Sequence, residues 1–399
     1  MRFIFLGVDY YPQTVGIAPF NTKLAEYLVS VGHKVTFICT APRLANWKIV
    51  PGYKNSFISS EGINGVNVKR TYCRLPKANS GFERIIFEVS FSITSFFVGC
   101  FSGKFDYVIC VSPPLFLCTV GRFISLLKGA KNVLYIQDIV PDLGIILGML
   151  RKRRVINLAR RYERFAYSQA DIILTISEGM RGNIISKGVS QNKVLLYPDF
   201  MTLPSDSDTF HEKDHREDFI LLFSGSIGEK TDLELFIDAA ALLRKELNLQ
   251  FVFTGTGINM DRLASYARRL NVSNVRFDGY LPEGEFKNLM KRADICIFGQ
   301  KMSITNEIMP SKLLNIMANQ KPIIAVAHEK SETKRVIDAA ECGVCLTHRD
   351  PNLLKERILE LSRKKDLLRA MGRNGFRYVK MHHDAKTLLP RFLKLLQKK

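Results

Sequence analysis

Residues 219–257 read FILLFSGSIGEKTDLELFIDAAALLRKELNLQFVFTGTG, and this stretch decides the fold. It holds an apolar run, a loop with two glycines, a helical pattern and a second apolar run. Short apolar runs that alternate with helices are typical of a parallel sheet wound with helices. The alternation continues to CGVCLTH at 342–348 and is followed by helical sequence. We therefore predict an α/β domain of the Rossmann-like, doubly wound type over residues 218–383.

The first half of the chain shows the same alternation of strands and helices. Its apolar runs are RFIFLGV (2–8), HKVTFICT (33–40), DYVICVSP (106–113), NVLYIQD (132–138), DIILTIS (171–177) and KVLLYP (193–198). Between the first two runs the spacing of apolar residues predicts a helix. Its buried face is predicted to carry Phe20, Leu24, Leu28 and Val31.

The length of the chain predicts two domains, because 399 residues exceed what one hydrophobic core usually supports. Polar sequence without periodicity, LPSDSDTFHEKDHRED, predicts a linker over 201–217. A first Rossmann-like domain then spans 1–200, and a C-terminal helix over 384–399 is predicted to cross back to it. Ligands of open parallel sheets bind beyond the carboxyl ends of the strands, so two such domains facing each other predict a site in the cleft between them.

The loop SGSIGEKTDLE has the composition of an anion-binding loop. Gly225 lets backbone amides approach an oxyanion, Ser226 adds a hydroxyl donor, and Lys230 adds positive charge at a helix N-terminus. The loop lacks the GxxxxGK[ST] spacing, so ATP hydrolysis is not predicted. A plain glycine-rich turn is the alternative. After the next strand, Gly255 and Thr256 are predicted to form a nucleotide-contacting turn, because the third glycine of a dinucleotide fingerprint is missing.

The segment TNEIMPSKLLNIMANQKPIIA, residues 305–325, is the more specific signal. Pro310 suits a first helical turn, and Ser311 and Lys312 present donors there. Glu307 lies just before this helix, in a loop whose carboxylate can accept hydrogen bonds from sugar hydroxyls. The segment predicts a phosphate and ribose at the helix end, with the sugar pointing toward Glu307.

Three short patterns resemble metal-binding motifs but are weak evidence for a metal site. HEKDH at 211–215 matches HExxH, and DSD at 206–208 matches a metal-binding DxD, but both lie in the polar linker. Cys342 and Cys345 have CxxC spacing without a second pair. We therefore expect no metal site and no metal requirement.

Composition restricts the partners and the compartment. A formal charge of +20 favours polyanions such as nucleotide phosphates, nucleic acid or an anionic membrane. Nucleic-acid binding is not predicted, because no recognised module and no interleaved aromatic and basic face is present. Cys39, Cys110 and Cys296 lie in apolar runs, where they are predicted to be small core residues of a reducing compartment.

Residues 85–101 form an apolar stretch, which Glu88 and several hydroxyls interrupt. It falls short of the ~20 residues that a membrane span needs. We expect a helix that dips into one leaflet beside basic residues. An internal helix packed on the sheet remains the alternative.

Taken together, these motifs resemble a known family. The opening YYPQTVGIAPF with its Gly16 loop, SPPLF at 112–116, QDIVPD at 137–142 and the two loops above are similar to family 4 glycosyltransferases of the GT-B fold. The resemblance covers almost the whole chain. It is strongest to the branch with colanic-acid and O-antigen transferases of the fucosyl or N-acetylfucosaminyl type.

The resemblance implies roles for individual residues. Lys230 and its loop amides would contact the diphosphate of a nucleotide sugar, and Glu307 would contact the donor sugar. Where the family usually has a second glutamate for the ribose, this sequence has Asn315. Asp138, beside Gln137, would position the acceptor hydroxyl or balance an oxocarbenium-like centre; a helix cap before the following proline is the alternative.

The resemblance also implies a reaction and a place. The reaction would retain anomeric configuration, with a lipid-linked saccharide as acceptor and no cofactor beyond the donor. The protein would be cytoplasmic and peripheral at the inner membrane. A sugar-nucleotide 2-epimerase of the same architecture is an alternative, although His33, His328 and His348 show no grouping suited to proton abstraction.

Overall fold

The computed structural model describes residues 1–14, 16–44, 47–78, 80–203, 218–246 and 248–397. The chain divides into two compact units. The first is Met1–Asp199 with Leu388–Lys399, and the second is Phe200–Thr387. Most of the linker predicted over 201–217 lies outside the described residues.

The first unit is built on an eight-stranded sheet of order β3-β4-β2-β1-β5-β6-β7-β8. Its strands are β1 (Arg2–Leu6), β2 (Lys34–Thr40), β3 (Ile58–Ile63), β4 (Val66–Thr71), β5 (Tyr107–Ser112), β6 (Lys131–Ile136), β7 (Ile172–Thr175) and β8 (Val194–Leu196). All neighbours are parallel except the β3–β4 hairpin. The apolar runs predicted six of these strands and missed that hairpin. Its first strand lies at the sheet edge with mostly exposed, polar side chains, so it has no apolar run.

Helices cover both faces of this sheet. They are α1 (Ala18–Ser30), α2 (Gly81–Cys100), α3 (Phe116–Lys128), α4 (Asp142–Ile146), α5 (Arg153–Gln169) and α6 (Glu178–Ser186). The chain moves across the sheet in one direction from β1 to β2 and in the other direction from β4 through β5 to β8. Right-handed connections therefore place α1 on the face opposite α2, α3, α5 and α6. Leu24 and Leu28 of α1 are buried as predicted, but Val31 is 43% exposed because the helix ends before it.

The second unit has a six-stranded parallel sheet of order β11-β10-β9-β12-β13-β14. Its strands are β9 (Phe219–Ser224), β10 (Leu249–Thr254), β11 (Val275–Gly279), β12 (Ile295–Gly299), β13 (Ile323–Val326) and β14 (Gly343–Leu346). Its helices are α7 (Glu234–Leu242), α8 (Met260–Arg269), α9 (Glu283–Arg292), α10 (Ser311–Ala318), α11 (Glu332–Ala340), α12 (Pro351–Ser362) and α13 (Lys365–His382). The strand order reverses between β9 and β12, which is where ligands bind in doubly wound sheets.

The last helix, α14 (Ala385–Gln397), packs with the first unit. The ring of Phe392 lies 5.3 Å from that of Tyr197, and the Tyr107 hydroxyl donates to the carbonyl of Leu396 at 3.3 Å. The thiols predicted to be core residues, Cys39, Cys110 and Cys296, are buried in β2, β5 and β12.

The apolar stretch 85–101 lies in α2, and its two faces differ. Phe87, Phe91 and Val98 are buried, which fits the helix-on-sheet alternative. Ile93 and Phe97 are exposed on the other face. Among the described residues, no helix combines the length and apolarity that a membrane crossing requires.

Candidate active site

In the second unit, the loops after β9, β10 and β11 are joined by backbone hydrogen bonds. The amide of Gly225 donates to the carbonyl of Thr254 at 2.9 Å, and the amide of Ile227 donates to the carbonyl of Thr256 at 2.9 Å. The amide of Gly255 donates to the carbonyl of Gly279 at 2.6 Å. The amide of Gly225 itself is therefore paired within the loops, and the prediction that this glycine lets neighbouring backbone amides approach an oxyanion stays a prediction. The N–H of Gly225 helps to fix the position of the loop.

The glycines of these loops are required by close packing. At Gly255, where φ is +127°, a Cβ would lie 2.0 Å from the carbonyl oxygen of Gly225. At Gly225, where φ is +116°, a Cβ would lie 2.5 Å from Cε of Lys312. Gly225 therefore makes room for a side chain that comes from α10.

Gly255→Ala is expected to destabilise the protein by roughly 2 kcal/mol or more, because a positive φ and a backbone clash combine. Gly284→Ala is the matched control, since a Cβ there meets nothing within 4 Å. Its position in helix α9 favours alanine by up to about 1 kcal/mol. Urea unfolding of both variants measures the difference. Equal stability of the two would contradict the packing described for Gly255.

Lys312 connects the two loops that the sequence singled out. Its Nζ donates to the carbonyl of Ser226 at 2.9 Å and lies 4.6 Å from the centre of the Phe223 ring. Burial lowers the pKa of Lys312 to about 8. A carbonyl dipole and a ring face offset a buried charge only in part. The site therefore favours an anion next to this ammonium group.

The loop of Lys230 also contacts the end of β12, across the switch point of the sheet. The amide of Lys301 donates to the carbonyl of Lys230 at 3.1 Å, and the amide of Asp232 donates to the carbonyl of Gly299 at 3.2 Å. A Cβ at Gly299 would lie 1.9 Å from the Asp232 carbonyl oxygen, so the two backbones touch. This contact holds the half-buried Lys230 beside the segment that leads to Glu307.

Glu307 is held by its own loop. The amide of Thr305 donates to its Oε2 at 2.7 Å, and the Thr305 hydroxyl donates to its Oε1 at 3.0 Å. The amide of Glu332, at the start of α11, donates to the Thr305 carbonyl at 3.3 Å. The side chain is 5% exposed. Its carboxylate is therefore fixed in orientation while each oxygen keeps lone pairs for a further donor.

The start of α10 differs slightly from the prediction. Pro310 is the N-cap residue with extended backbone, so the helix begins at Ser311 and the proline lies one residue before its first turn. The apolar residues of the helix are buried, and Asn315 is exposed. The amide of Leu313 donates to the Pro310 carbonyl at 3.0 Å, so the amides of Ser311 and Lys312 are the ones suited to an anion.

In the first unit, Gln137 and Asp138 follow β6 at the carboxyl edge of the sheet. The amide of Gln137 donates to the Ser112 carbonyl at 2.9 Å. The N-cap residue of α4 is Pro141 and not Asp138. Burial and the nearby charge of Asp138 raise the pKa of Asp199 to about 7. The sequence interpretation missed Asp199, although a carboxylate directly after an apolar run, YPD, is a signal for this edge.

The remaining predicted residues and motifs have the following places. Gly16 has φ of +64° with open space around it and precedes α1. The HExxH and DxD patterns lie outside the described residues. Cys342 and Cys345 are free thiols, and within the described ranges no three His, Cys, Asp or Glu residues form a group that could hold a metal.

Comparisons with known proteins agree with this architecture. Residues 15–199 match the family model of the glycosyl transferase 4-like domain, and residues 206–378 match that of glycosyl transferases group 1. A protein of Escherichia coli named as the colanic acid biosynthesis glycosyl transferase WcaI is 31% identical over 335 residues, 80% of this chain and 81% of that one. The chain belongs to the group 1 glycosyltransferases.

Solved structures show the fold of this glycosyltransferase. Sucrose-phosphate synthase from Thermosynechococcus elongatus superimposes with a TM-score of 0.72 at 15% identity, covering 100% of this chain and 98% of the other. HepE from Anabaena, solved with UDP and glucose, gives 0.69 at 13% identity over 100% of both chains. The predicted family, GT-B fold and transferase activity are confirmed.

Proposed function

We propose that this glycosyltransferase moves a sugar from a nucleoside-diphosphate sugar to a lipid-linked saccharide in bacterial surface polysaccharide biosynthesis, with retention of configuration. The observation that carries the proposal is the link from Lys312 to the Ser226 carbonyl. It joins an anion-binding helix end to the glycine loop at the switch point. The names of WcaI and of HepE with UDP and glucose support the pathway and the donor class.

The positive groups act on the leaving group. Negative charge grows on the nucleoside diphosphate as the sugar departs, and preorganised donors stabilise charge that develops in the transition state. The side chains of Lys230 and Lys312 and the backbone amides of Ser311 and Lys312 supply these donors. Because two lysines and a helix end provide positive charge, we infer that no divalent cation is required.

Three further residues position the substrates in this proposal. The Glu307 carboxylate accepts hydrogen bonds from donor-sugar hydroxyls, and the exposed Asn315 amide bonds the ribose. Asp138 positions the acceptor hydroxyl or balances the oxocarbenium-like centre. A lipid-linked acceptor places the reaction at the cytoplasmic surface of the inner membrane.

The proposal is tested first by thermal shift with UDP, GDP and ADP, because a ligand that binds the folded state raises the melting temperature. Membranes that contain lipid-linked saccharides are then incubated with labelled nucleotide sugars. We expect label in the lipid fraction and release of the nucleotide that stabilised the protein. Release of a free sugar epimer without transfer would contradict the proposal and favour the epimerase alternative.

Diphosphate binding is expected to weaken above about pH 8, because Lys312 loses its proton as the pH rises through its lowered pKa of about 8. A bound diphosphate favours the charged form, so binding above that pH takes up a proton. Calorimetric titration with the stabilising nucleotide, in buffers of different ionisation enthalpy, measures this uptake. Lys312→Met is expected to bind more weakly and to show no break near that pH. A flat profile for the unaltered protein would remove Lys312 from the diphosphate site.

A further inference from the structure

The outward face of α2 is apolar along the C-terminal half of the helix. Ile93 and Phe97 are exposed there, and Phe101, directly after the helix, is 88% exposed. These residues are spaced by four, so they form one stripe on the helix surface. A helix that only packs on a sheet normally carries polar residues on its solvent side.

Helix α3 extends this apolar stripe. It lies against α2, with the ring of Phe96 6.4 Å from that of Phe123. Phe123, Leu126 and Leu127 of α3 are 56%, 63% and 67% exposed. A Cβ at Gly99 would lie 2.4 Å from Cδ1 of Ile124, so the two helices are in close contact next to these side chains. The exposed residues of both helices therefore form one contiguous patch.

A cationic pocket lies at the end of this patch. The chain runs from Phe101 into Ser102 and Lys104, which line a cavity of about 360 Å³ at the amino ends of β1, β2 and β4. Lys34 and Lys69 line the same cavity, and Nζ of Lys69 donates to the hydroxyl of Ser102 at 2.9 Å. Arg2, also in the lining, is paired with Asp106. No carboxylate within the described ranges forms an ion pair with the three lysines, so their charge is available to an anion.

This pocket is separate from the candidate active site. The carboxyl ends of parallel strands carry the proposed substrate-binding loops, whereas the pocket lies at the amino ends of the first sheet. An apolar patch beside a lysine-lined pocket matches the chemistry of an anionic bilayer, with acyl chains next to phosphate groups. A second copy of the chain would bring like charges together at the same place, which opposes self-association.

We propose that the apolar patch of α2 and α3 and the adjacent lysine pocket form a docking face for an anionic lipid bilayer. The patch enters the acyl boundary of one leaflet, while Lys34, Lys69 and Lys104 bind lipid phosphates. This inference extends the proposed function, because a lipid-linked acceptor would give membrane docking its biological purpose. Docking itself needs neither donor nor acceptor.

Co-sedimentation of the full chain with vesicles tests this face. We expect binding to vesicles of phosphatidylglycerol and phosphatidylcholine that weakens with salt, and little binding to phosphatidylcholine alone. Lys34→Glu with Lys104→Glu is expected to lower partitioning by roughly tenfold or more. Leu126→Ser with Leu127→Ser is expected to lower it by roughly tenfold. All four side chains are exposed or at the surface, so folding is expected to be preserved.

Matched variants of the second unit provide the controls. Arg363→Glu with Lys365→Glu reverses two exposed charges, and Tyr280→Ser with Met381→Ser removes two exposed apolar side chains. Both are expected to bind vesicles like the unaltered chain. The proposal is overturned if the docking-face variants bind as well as these controls, or if lipid charge makes no difference. It is also overturned if the leucine variant changes only the oligomeric state.

The two proposals can fail separately. The vesicle assay contains no nucleotide sugar, so absence of vesicle binding leaves the transfer reaction untouched. A chain that binds vesicles through this face but transfers no sugar would overturn the proposed function alone.

Discussion

Lys230→Ala is expected to lower kcat by roughly 10²- to 10³-fold, the usual loss when one preorganised donor to developing charge is removed. The backbone of Lys230 is fixed by the amide of Lys301 at 3.1 Å, so the loop keeps its position when the side chain is truncated. The loss should therefore appear in turnover and in affinity for the diphosphate, while the melting temperature without nucleotide stays nearly unchanged.

Lys245→Ala is the matched control for this variant. Lys245 is an exposed lysine of the same unit, beyond the end of α7. It is expected to keep full activity and full stabilisation by the nucleotide. If Lys230→Ala retained near-normal turnover, Lys230 would not contact the leaving group, and the anion would have to be held by α10 alone.

The α/β architecture could be predicted from the sequence because strands that are buried on both faces of a sheet form continuous apolar runs. A central parallel strand such as β9 is apolar at nearly every position, and FILLFS shows this directly. The glycine loop follows that run, and TNEIMPSK follows ADICIFG. Since β9 and β12 are neighbours, the two loops meet, and strand alternation alone was enough to expect them at one edge.

Details that depend on tertiary contacts could not be predicted in this way. The strand β3 has no apolar run because it lies at the edge of the sheet, beside β4, with mostly exposed side chains. The pairing of the Gly225 amide with the Thr254 carbonyl depends on how the loops after two adjacent strands approach each other. Such approaches are set by packing between segments distant in sequence, which local patterns do not encode.

Lys312 illustrates the same limit within the site. The sequence predicted a donor at the start of a helix. In the structure the Nζ of this lysine donates to the carbonyl of Ser226, a residue 86 positions earlier in the chain. Whether a lysine points into solvent or across a loop depends on the space that a glycine leaves for it. Here Gly225 leaves that space. A lysine at this helix start could be predicted from the sequence. The lowering of its pKa could not, because it results from burial in the folded protein.

Glu307→Gln is expected to lower kcat/KM for the sugar nucleotide by roughly 10²-fold, because the charged acceptor for sugar hydroxyls becomes a neutral amide. Affinity for the nucleoside diphosphate alone should change little, since that ligand lacks the sugar. In the glutamine variant the amide oxygen can accept from the Thr305 N–H and the amide NH2 can donate to the Thr305 hydroxyl, so the shape of the loop should survive this isosteric change. Steady-state kinetics together with calorimetry of the free diphosphate separate the two effects.

Two further variants distinguish a substrate contact from a structural role. Thr305→Val removes the hydroxyl that donates to Glu307 but keeps the carboxylate, and we expect a smaller loss of about tenfold that appears mainly in KM. Glu163→Gln alters an equally buried carboxylate of the first unit, held by Lys187 at 2.5 Å, and should reduce stability without a selective effect on donor use. If Glu307→Gln weakened the free diphosphate as much as the sugar nucleotide, Glu307 would act by holding the loop. The donor sugar would then have to be recognised by other residues of the β12–α10 segment.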